Sequence, residues 1–441
     1  MEIRFGFAGN DRARFLVHCL STVLETMTPR KAVASFCDSH KNLFRTSGRI
    51  HVIGFGKAAY GMYAGIAESL PESPVHASVI VPENEPIRNK FAELQILHGE
   101  HPFPGHGSLS SSEIILKGLA GLGNGDLVIA LVSGGGSSLF EFPIQGLSIH
   151  RIASVTRCMM ESGSDIRELN AARKLMSNVK GGKLNRMLYP ARVVSLIISD
   201  VPGDDPALVA SGPTVFAAPP GRKVLAAALD SIRRCDPGTE ETVKSNLKMD
   251  IDHDAEPESH WHLVLKNGDL VEAMANELRK HGEKVVSFGS GFTGNVEDLS
   301  SRILLMLRGE FARFGAGFWF AMGGESTATV RGAGTGGRNQ ELAARLALKM
   351  LPGENCVFMS AGTDGMDGNS SAMGSVVFPG SLDSVPPEEV EKHLAESNLT
   401  PLLKRIGSAL FSGPTGNNVS DIMAGYYGGL DGHKPINSGR R

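Results

Sequence analysis

The sequence predicts an α/β protein made of two α/β/α domains. Short apolar runs bounded by glycine or proline alternate with helix-length segments, which is typical of strands buried on both faces of a parallel sheet. A chain of 441 residues also has the length of two ordinary domains. We therefore expect a Rossmann-like, parallel-sheet N-terminal domain over 1–245 and a smaller, mixed-sheet C-terminal domain over 256–441, with a cleft between them.

The predicted elements begin with helix, because the first forty residues place apolar side chains such as Leu16, Leu20 and Val23 at helical spacing. The polar stretch 236–260 predicts a linker. A hairpin-like pair, 325–331 with 375–378, predicts that the second sheet is mixed. The strands predicted for the first domain are 51–55, 77–81, 94–97, 127–132 and 193–198, and those for the second are 261–265, 284–288, 317–322, 356–360 and 375–378.

Composition excludes several classes of partner. The formal net charge is −3 and no long basic run occurs, so neither nucleic acid nor an anionic membrane is expected. The five cysteines are scattered and never form a Cys-x-x-Cys pair, which favours a reducing compartment without disulfides. The first twenty residues contain no secretory apolar core, so we expect a cytoplasmic enzyme of small molecules. A homodimer is one possible oligomeric state.

Two glycine-rich loops follow predicted strands of the first domain. Residues 54–59 read Gly-Phe-Gly-Lys-Ala-Ala and match the G-x-G-x-x-A dinucleotide fingerprint, although a tight strand–helix turn is an equal alternative. Residues 133–138 read Ser-Gly-Gly-Gly-Ser-Ser, which can form an anion-binding nest. This second run is neither a Walker A loop nor a hydrolase elbow, since no Gly-Lys-Ser/Thr follows and Leu139 replaces the final glycine. A flexible turn is the alternative.

Lys57 and Arg338 each place a cation at the start of a predicted helix, directly after a glycine-rich loop. A cation there opposes the helix dipole by roughly 0.3–1 kcal/mol, and a bound phosphate would reverse the sign. Two such placements predict an anionic ligand, the alternative being solvated surface charges.

Other candidates lie at strand ends and on one helix. Asp200 follows the strand 193–198 at its carboxyl end, where ligands bind in open α/β sheets, and could hold Mg²⁺ or accept a proton. Asp364 is a second metal candidate, although Asp-Gly pairs are also ordinary turns. Arg173 could bind a substrate carboxylate, or be an exposed helix arginine. Lys180 ends the same helix and is explained by the dipole alone.

In this order the motifs resemble those of the class II glycerate kinases, the ATP-dependent glycerate 2-kinases whose C-terminal part is the MOFRL domain. The similarity covers about 51–421. The motifs that carry it are 54–59 (GFGKAA), 133–137 (SGGGS), 169–182 (LNAARKLMSNVKGG), 199–205 (SDVPGDD), 211–214 (SGPT), 323–325 (GGE), 336–341 (GGRNQE), 362–368 (GTDGMDG) and 413–421 (GPTGNNVSD).

The resemblance implies transfer of the γ-phosphoryl group of ATP to the C2 hydroxyl of D-glycerate. It also implies that Lys57 and Arg338 are the catalytic pair, and domain closure would bring them onto one γ-phosphate. We add Asp200 as a catalytic residue, Arg173 and Asn339 as substrate-binding residues, and Mg²⁺ on Asp200 and Asp364. The expected residues for ATP are Gly54, Gly56, Ser133, Gly134, Gly135, Gly136, Ser137, Gly336 and Gly337.

The sequence departs from the family pattern at a few positions. Gly105 stands where the family usually has an aspartate, and Asn417 and Ser420 replace a threonine and an asparagine. These changes concern substrate contacts. Two other functions stay open: an NAD(P)H-dependent hydroxypyruvate reductase, a label attached to relatives of this family, and a non-catalytic nucleotide or sugar-phosphate sensor.

Overall fold

Two compact units make up the protein in the computed structural model. The parallel-sheet unit is Pro29–Leu265, and the mixed-sheet unit combines Met1–Thr28 with Lys266–Arg441. No helix within the described ranges is long and apolar enough to cross a membrane. The structure describes residues 2–7, 9–70, 74–85, 87–216, 221–249, 258–282 and 284–430.

The elements are numbered along the chain. The α-helices are α1 (Asp11–Thr26), α2 (Pro29–Ser39), α3 (Ala59–Ser69), α4 (His106–Gly118), α5 (Gly136–Leu139), α6 (Ile149–Glu161), α7 (Ile166–Met176), α8 (Lys183–Met187), α9 (Arg222–Cys235), α10 (Pro237–Met249), α11 (Asn267–Arg279), α12 (Val296–Phe314), α13 (Arg338–Lys349), α14 (Pro387–Ala395) and α15 (Leu399–Arg405). The strands are β1 (Ile50–Phe55), β2 (His76–Pro82), β3 (Leu94–Gly99), β4 (Leu127–Val132), β5 (Arg192–Ile198), β6 (His260–Leu265), β7 (Val285–Ser287), β8 (Gly294–Asn295), β9 (Phe318–Gly324), β10 (Ser326–Thr327), β11 (Glu354–Gly362), β12 (Gly374–Val377), β13 (Ala409–Leu410) and β14 (Asp421–Leu430).

The first sheet is parallel throughout, with the strand order β3-β2-β1-β4-β5-β6. Strands β1 and β4 are buried at every position, which explains the uninterrupted apolar sequence of β4 and the apolar run that follows His51 in β1. From β1 the chain winds towards β2 and β3, and from β4 it winds the other way towards β5 and β6. This order confirms the predicted Rossmann-like, doubly wound sheet.

The end of the parallel-sheet unit differs from the prediction. Strand β6, predicted in the second domain, pairs in parallel with β5. Helix α10 occupies the first half of the predicted linker, because its Val243 is buried in an apolar cluster with residues of α6, α7 and α9. Residues 250–257 of the predicted linker lie outside the described residues.

Helix α1 belongs to the mixed-sheet unit. Its Leu20 is fully buried, and the guanidinium of Arg12 lies 3.6 Å from the ring centroid of Tyr426. The compact units therefore differ from the predicted ranges 1–245 and 256–441, because this amphipathic helix packs on residues far along the sequence.

One disulfide joins two helices of the parallel-sheet unit. Cys158 of α6 and Cys235 of α9 are bonded, with their Cα atoms 5.9 Å apart. The prediction that no disulfide forms is wrong for this pair. Helices α6 and α9 contribute to one apolar cluster, so their packing brings together cysteines that are distant in sequence. Cys19, Cys37 and Cys356 are buried and free.

The second sheet has the order β13-β12-β11-β14-β9-β7. Strands β7 and β9 are parallel and the other neighbours are antiparallel, so the predicted mixed sheet is confirmed. The predicted hairpin is wrong in its partner: β12 pairs with β11, whereas β10 pairs with β8. Phe318, Phe320 and Phe358 lie in the core of this sheet.

Candidate active site

The two glycine-rich loops of the parallel-sheet unit lie side by side at the carboxyl ends of β1 and β4, where the winding reverses. The backbone N–H of Lys57 donates to the carbonyl of Gly134 at 2.9 Å, and that of Ala58 donates to Ser133 Oγ at 3.1 Å. Gly56 has φ +126°, and a Cβ there would lie 2.2 Å from Ser133 Oγ. Only glycine allows the two loops to approach this closely. Both loops therefore lie together at the edge of the sheet where open α/β proteins bind ligands.

Side chains flank the glycine triplet closely. A Cβ on Gly135 would lie 3.1 Å from His101 Cδ2 and 3.5 Å from Lys57 Cγ, so both side chains pass beside this glycine. A Cβ on Gly136 would lie only 2.7 Å from the Cβ of Ala210. The structure thus brings Lys57 and His101 beside the triplet. The site role of Lys57 stays a prediction, and the sequence assigned no role to His101.

Helix α7 provides polar groups beneath the triplet. Asp165 caps this helix, since its Oδ1 accepts from the backbone N–H of Glu168 at 2.8 Å. Asn170 Oδ1 accepts from Ser211 Oγ at 2.7 Å, and Ser211 Oγ lies 2.8 Å from Ser137 Oγ. The α7 helix is therefore linked to the triplet by side-chain hydrogen bonds.

Arg173 is half-buried on α7. Burial lowers the pKa of its guanidinium, and the nearby charge of Glu141 opposes that effect. The position is not the exposed helix surface that was the alternative to substrate binding, and its role as a substrate-binding residue stays a prediction.

Lys180 is fully buried, contrary to the expectation that the helix dipole alone explains it. Its Nζ donates to Glu141 Oε2 at 2.5 Å and to the carbonyl of Phe140 at 3.2 Å. Burial lowers the pKa of Lys180, and Glu141 opposes the shift. Because Phe140 and Glu141 directly follow α5, this ion pair fixes the segment after the triplet. Glu141 was not recognised in the sequence, since nothing near it predicts a buried lysine partner.

Asp200 is half-buried and lies just beyond the end of β5, the strand that neighbours β4. Asp205, in the same loop, accepts from the backbone N–H of Ala207 at 2.9 Å, which is ordinary turn chemistry. Burial lowers the pKa of Lys174, and the charge of Asp205 opposes it. Within the described ranges, no group of three or more His, Cys, Asp or Glu side chains could hold a metal ion.

In the mixed-sheet unit, Arg338 begins α13 and is paired with carboxylates. Its Nε and Nη2 donate to Asp421 at 2.7 and 3.0 Å, and its Nη1 donates to Glu325 at 3.0 Å. Burial would lower the pKa of Arg338, but the charge and hydrogen bonds of Asp421 hold it above its usual range. The carboxylates therefore offset the unfavourable interaction of Arg338 with the helix dipole. From the sequence, a bound anion was expected to provide this compensation.

A buried carboxylate organises the first turn of α13. Asp367 accepts from the backbone N–H groups of Asn339 and Gln340 at 3.0 and 2.9 Å, and from their side-chain amides. Burial raises the pKa of Asp367 to about 6. A Cβ on Gly337 would lie 2.3 Å from Asp367 Cγ, which explains the glycine. Asp367 is thus the acidic partner of the helix N-terminus.

Asn339 is only 1% exposed. Its amide nitrogen also donates to Asp421 at 2.9 Å, and its oxygen accepts from Ser360 at 2.5 Å. These contacts fit a residue that positions Asp421 and Asp367, while the predicted substrate contact of Asn339 stays untested.

The other candidates of this unit lie in turns around α13. The backbone N–H of Gly336 donates to Asn369 Oδ1 at 3.0 Å. Asp364 is half-buried and accepts from the backbone N–H of Met366 at 3.1 Å, as Asp-Gly turns do. Burial raises the pKa of Asp421, and the negative charge of Asp364 adds to that effect. In the sequence, Asp421 is only the last residue of the motif 413–421, and its pairing with Arg338 depends on the fold.

Comparison with known proteins agrees with this architecture. A family model described as "Domain of unknown function (DUF4147)" matches residues 15–248, and one described as "MOFRL family" matches 318–421. Glycerate 2-kinase of Picrophilus torridus is 40% identical over 95% of this chain and 97% of its own. A protein of Agrobacterium vitis, 34% identical over 86% of this chain and 87% of its own, carries the provisional name of hydroxypyruvate reductase.

The crystal structure of a glycerate kinase from Thermotoga maritima superposes with a TM-score of 0.82 at 26% identity, covering 94% of this chain and 99% of that one. The architecture is thus that of a glycerate kinase. By sequence, the chain belongs to the glycerate 2-kinase family that carries the MOFRL domain.

Proposed function

We propose that the protein is an ATP-dependent glycerate 2-kinase, which transfers the γ-phosphoryl group of ATP to the C2 hydroxyl of D-glycerate. The observation that carries this proposal is the pair of adjoining glycine loops at the reversal point of the parallel sheet, with Lys57 beside Gly135. The kinase names of the relative and of the structural neighbour support the reaction class.

Phosphoryl transfer depends on positioning and on neutralising spread negative charge. In the parallel-sheet unit, the backbone of residues 133–136 and 54–56 would hold phosphate, with Lys57 as the cation. Arg173 would bind the carboxylate of the acid. These roles require no covalent intermediate with the protein.

Arg338 can also serve as a phosphate-binding cation within its own unit. A guanidinium has five N–H donors, and three of them are engaged by Asp421 and Glu325. The Arg338 side chain is 33% exposed, so its remaining donors support the role that the family resemblance implies. Gly336 and Gly337 would then shape the backbone at the start of α13.

Mg²⁺ fits the carboxylate at the end of β5. This ion binds through one or two carboxylates together with phosphate oxygens and water, so Asp200 is a sufficient protein donor. Asp364 is the corresponding candidate in the mixed-sheet unit. When bound, the ion would neutralise charge on the transferred phosphoryl group. Asp200 also has the chemistry of a base for the substrate hydroxyl.

The proposed co-substrate favours a cytoplasmic enzyme, whereas the disulfide between Cys158 and Cys235 is the observation against that location. The proposed partners are ATP and glycerate, without nucleic acid or membrane, and a homodimer stays a prediction.

The test is ³¹P NMR of the product formed from D-glycerate, ATP and Mg²⁺. A doublet from phosphate on a CH group is expected for 2-phosphoglycerate, and a triplet from phosphate on a CH₂ group would place the phosphoryl group on C3 instead. An inert mixture would refute the proposed kinase activity.

The G-x-G-x-x-A loop on a Rossmann-like sheet keeps one second function, reduction of hydroxypyruvate by NAD(P)H. Its assay follows the absorbance of NAD(P)H with hydroxypyruvate, using the same enzyme preparation. The kinase proposal expects no oxidation of NAD(P)H above the rate without enzyme.

A further inference from the structure

A chain of side-chain hydrogen bonds links the glycine triplet to α7, and each donor in it points away from the triplet and towards α7. Ser211 Oγ donates its hydrogen to Asn170 Oδ1 at 2.7 Å, and an amide oxygen can only accept. A hydroxyl has one hydrogen, so Ser211 has none left for Ser137 Oγ, which lies 2.8 Å away. Ser137 must therefore donate to Ser211.

The direction of this chain is fixed inside the protein. Asn170 and Ser211 are 4% and 0% exposed, so water does not compete for their hydrogen bonds. The backbone N–H of Gly181 donates to the carbonyl of Ser211 at 3.0 Å, which holds the serine in place. Ser137 is half-buried and forms the open end of the chain.

Ser137 consequently presents only lone pairs to a ligand. The terminal oxygens of a nucleotide phosphate at neutral pH are hydrogen-bond acceptors, so the Ser137 side chain has no hydrogen to give them. A hydroxyl of a small acid is a donor and matches this acceptor. The side chain of Ser137 thus differs in chemistry from the backbone N–H groups of the same loop.

Arg173 lies three residues after Asn170 on α7, so the two side chains are neighbours on the helix surface. Among the described residues, Arg173 has no hydrogen bond or ion pair. Glu141, whose charge it feels, is already bonded to Lys180 Nζ at 2.5 Å and to the backbone N–H of Phe142 at 3.0 Å. A half-buried guanidinium of this kind is suited to a carboxylate from a ligand.

We propose that Ser137 and Arg173 form the subsite for the hydroxy acid. Arg173 binds its carboxylate, and Ser137 accepts a hydrogen bond from one of its hydroxyl groups. This inference rests on the proposed kinase function, and it transfers the Ser137 side chain from the expected ATP-binding loop to the acid. The subsite selects hydroxy acids over acids without a hydroxyl group.

The experiment uses Ser137→Ala and Arg173→Met in the full-length protein, with the KM for D-glycerate and for ATP measured separately. Calorimetric titration with D-glycerate alone and with ATP alone gives the corresponding Kd values. Ser245→Ala, a hydroxyl deletion on the exposed face of α10, and Arg222→Met, at the exposed start of α9, are the matched controls.

For Ser137→Ala we expect a rise of about tenfold in KM and Kd for glycerate, the usual effect of one neutral hydrogen bond, with the ATP values unchanged. For Arg173→Met the rise in the glycerate values is about 10²-fold, because a charge-assisted pair is lost.

A weakened affinity for ATP in Ser137→Ala, or an unchanged affinity for glycerate in either variant, overturns the subsite. Failure of the proposed function is a separate result, since it appears as a wild-type enzyme that forms no phosphoglycerate even where the titration shows glycerate bound. Circular dichroism and the melting temperature identify a variant that has not folded.

Discussion

Lys57 and Arg338 received the same predicted role because each is a cation at the start of a helix, yet the two residues have different surroundings. Arg338 has a buried carboxylate, Asp421, within 2.7 Å. Replacing Arg338 would leave that charge uncompensated, which typically costs about 3–5 kcal/mol. Loss of activity in an Arg338 variant therefore mixes stability with catalysis, and Lys57 is the better residue for a test of chemistry.

Lys57→Met is expected to lower kcat by at least about 10²-fold, because removal of one electrostatic stabiliser of a transition state has effects of that size. Steady-state assay of phosphoglycerate formation measures it. The control is Lys90→Met, which removes an exposed lysine of the same unit. Near-normal kcat in Lys57→Met would contradict the assigned role.

Asp367 predicts a pH dependence of stability. Its folded-state pKa is raised to about 6 by burial, whereas an unfolded aspartate titrates near about 3.9. The folded state therefore holds the proton more tightly, so Asp367 contributes stability fully below about pH 4 and loses it as the pH rises through about 6. The free energy of unfolding of the wild type, relative to Asp367→Asn, should fall over that interval.

Urea unfolding of both proteins at several pH values measures this difference. Taking the difference is necessary because burial lowers the pKa of His51, His76 and His262, and these groups change stability in the opposite direction as the pH rises. A difference that is independent of pH would contradict the assignment to Asp367.

At the scale of elements, the strands of the parallel sheet were predictable because most of them are short, largely apolar runs bounded by glycine or proline. Strand β14 was not, although it lies in the middle of the second sheet. It contains Gly425, Gly428 and Gly429, and glycine weakens the strand signal. At Gly425 a Cβ would lie 1.9 Å from the carbonyl oxygen of Val357, so the residue that hides the strand is required by its packing.

The site was predictable to the extent that it consists of loops. The glycines and Lys57 were found because tight turns and helix starts leave local sequence signals. Asp421, Glu141 and Cys235 were missed because their partners are distant in sequence, and only the packing of helices and strands brings each pair together.

The disulfide bond between α6 and α9 predicts that the free energy of unfolding depends on the redox state. Reduction of Cys158–Cys235, which are 77 residues apart, should lower the free energy of unfolding by about 2–4 kcal/mol, because the open loop regains conformational entropy in the unfolded chain. Urea unfolding with and without dithiothreitol measures this. The double variant Cys158→Ser, Cys235→Ser should be insensitive to the reductant, and equal sensitivity in both proteins would contradict the assignment.

For the whole molecule, the proposed reaction requires a divalent cation. EDTA is expected to lower turnover by at least about 10²-fold, reversed by added Mg²⁺, since the ion supplies several kcal/mol of charge stabilisation. Asp200→Asn should raise the Mg²⁺ concentration for half-maximal activity more than about tenfold, equivalent to about 1.4 kcal/mol. Asp38→Asn, at an exposed position of the same unit, is the control. An unchanged Mg²⁺ requirement with altered pH profile would make Asp200 the base.

Helix α1 and the elements after Lys266 form one unit, with the whole parallel-sheet unit between them in sequence. During synthesis on the ribosome, the parallel-sheet unit can fold as soon as its own residues have emerged. The apolar face of α1 must wait for a sheet that is translated after the parallel-sheet unit. A fragment expressed from residue 256 onwards would therefore lack its covering helix, and adding residues 1–28 as a separate peptide is the natural way to complete it.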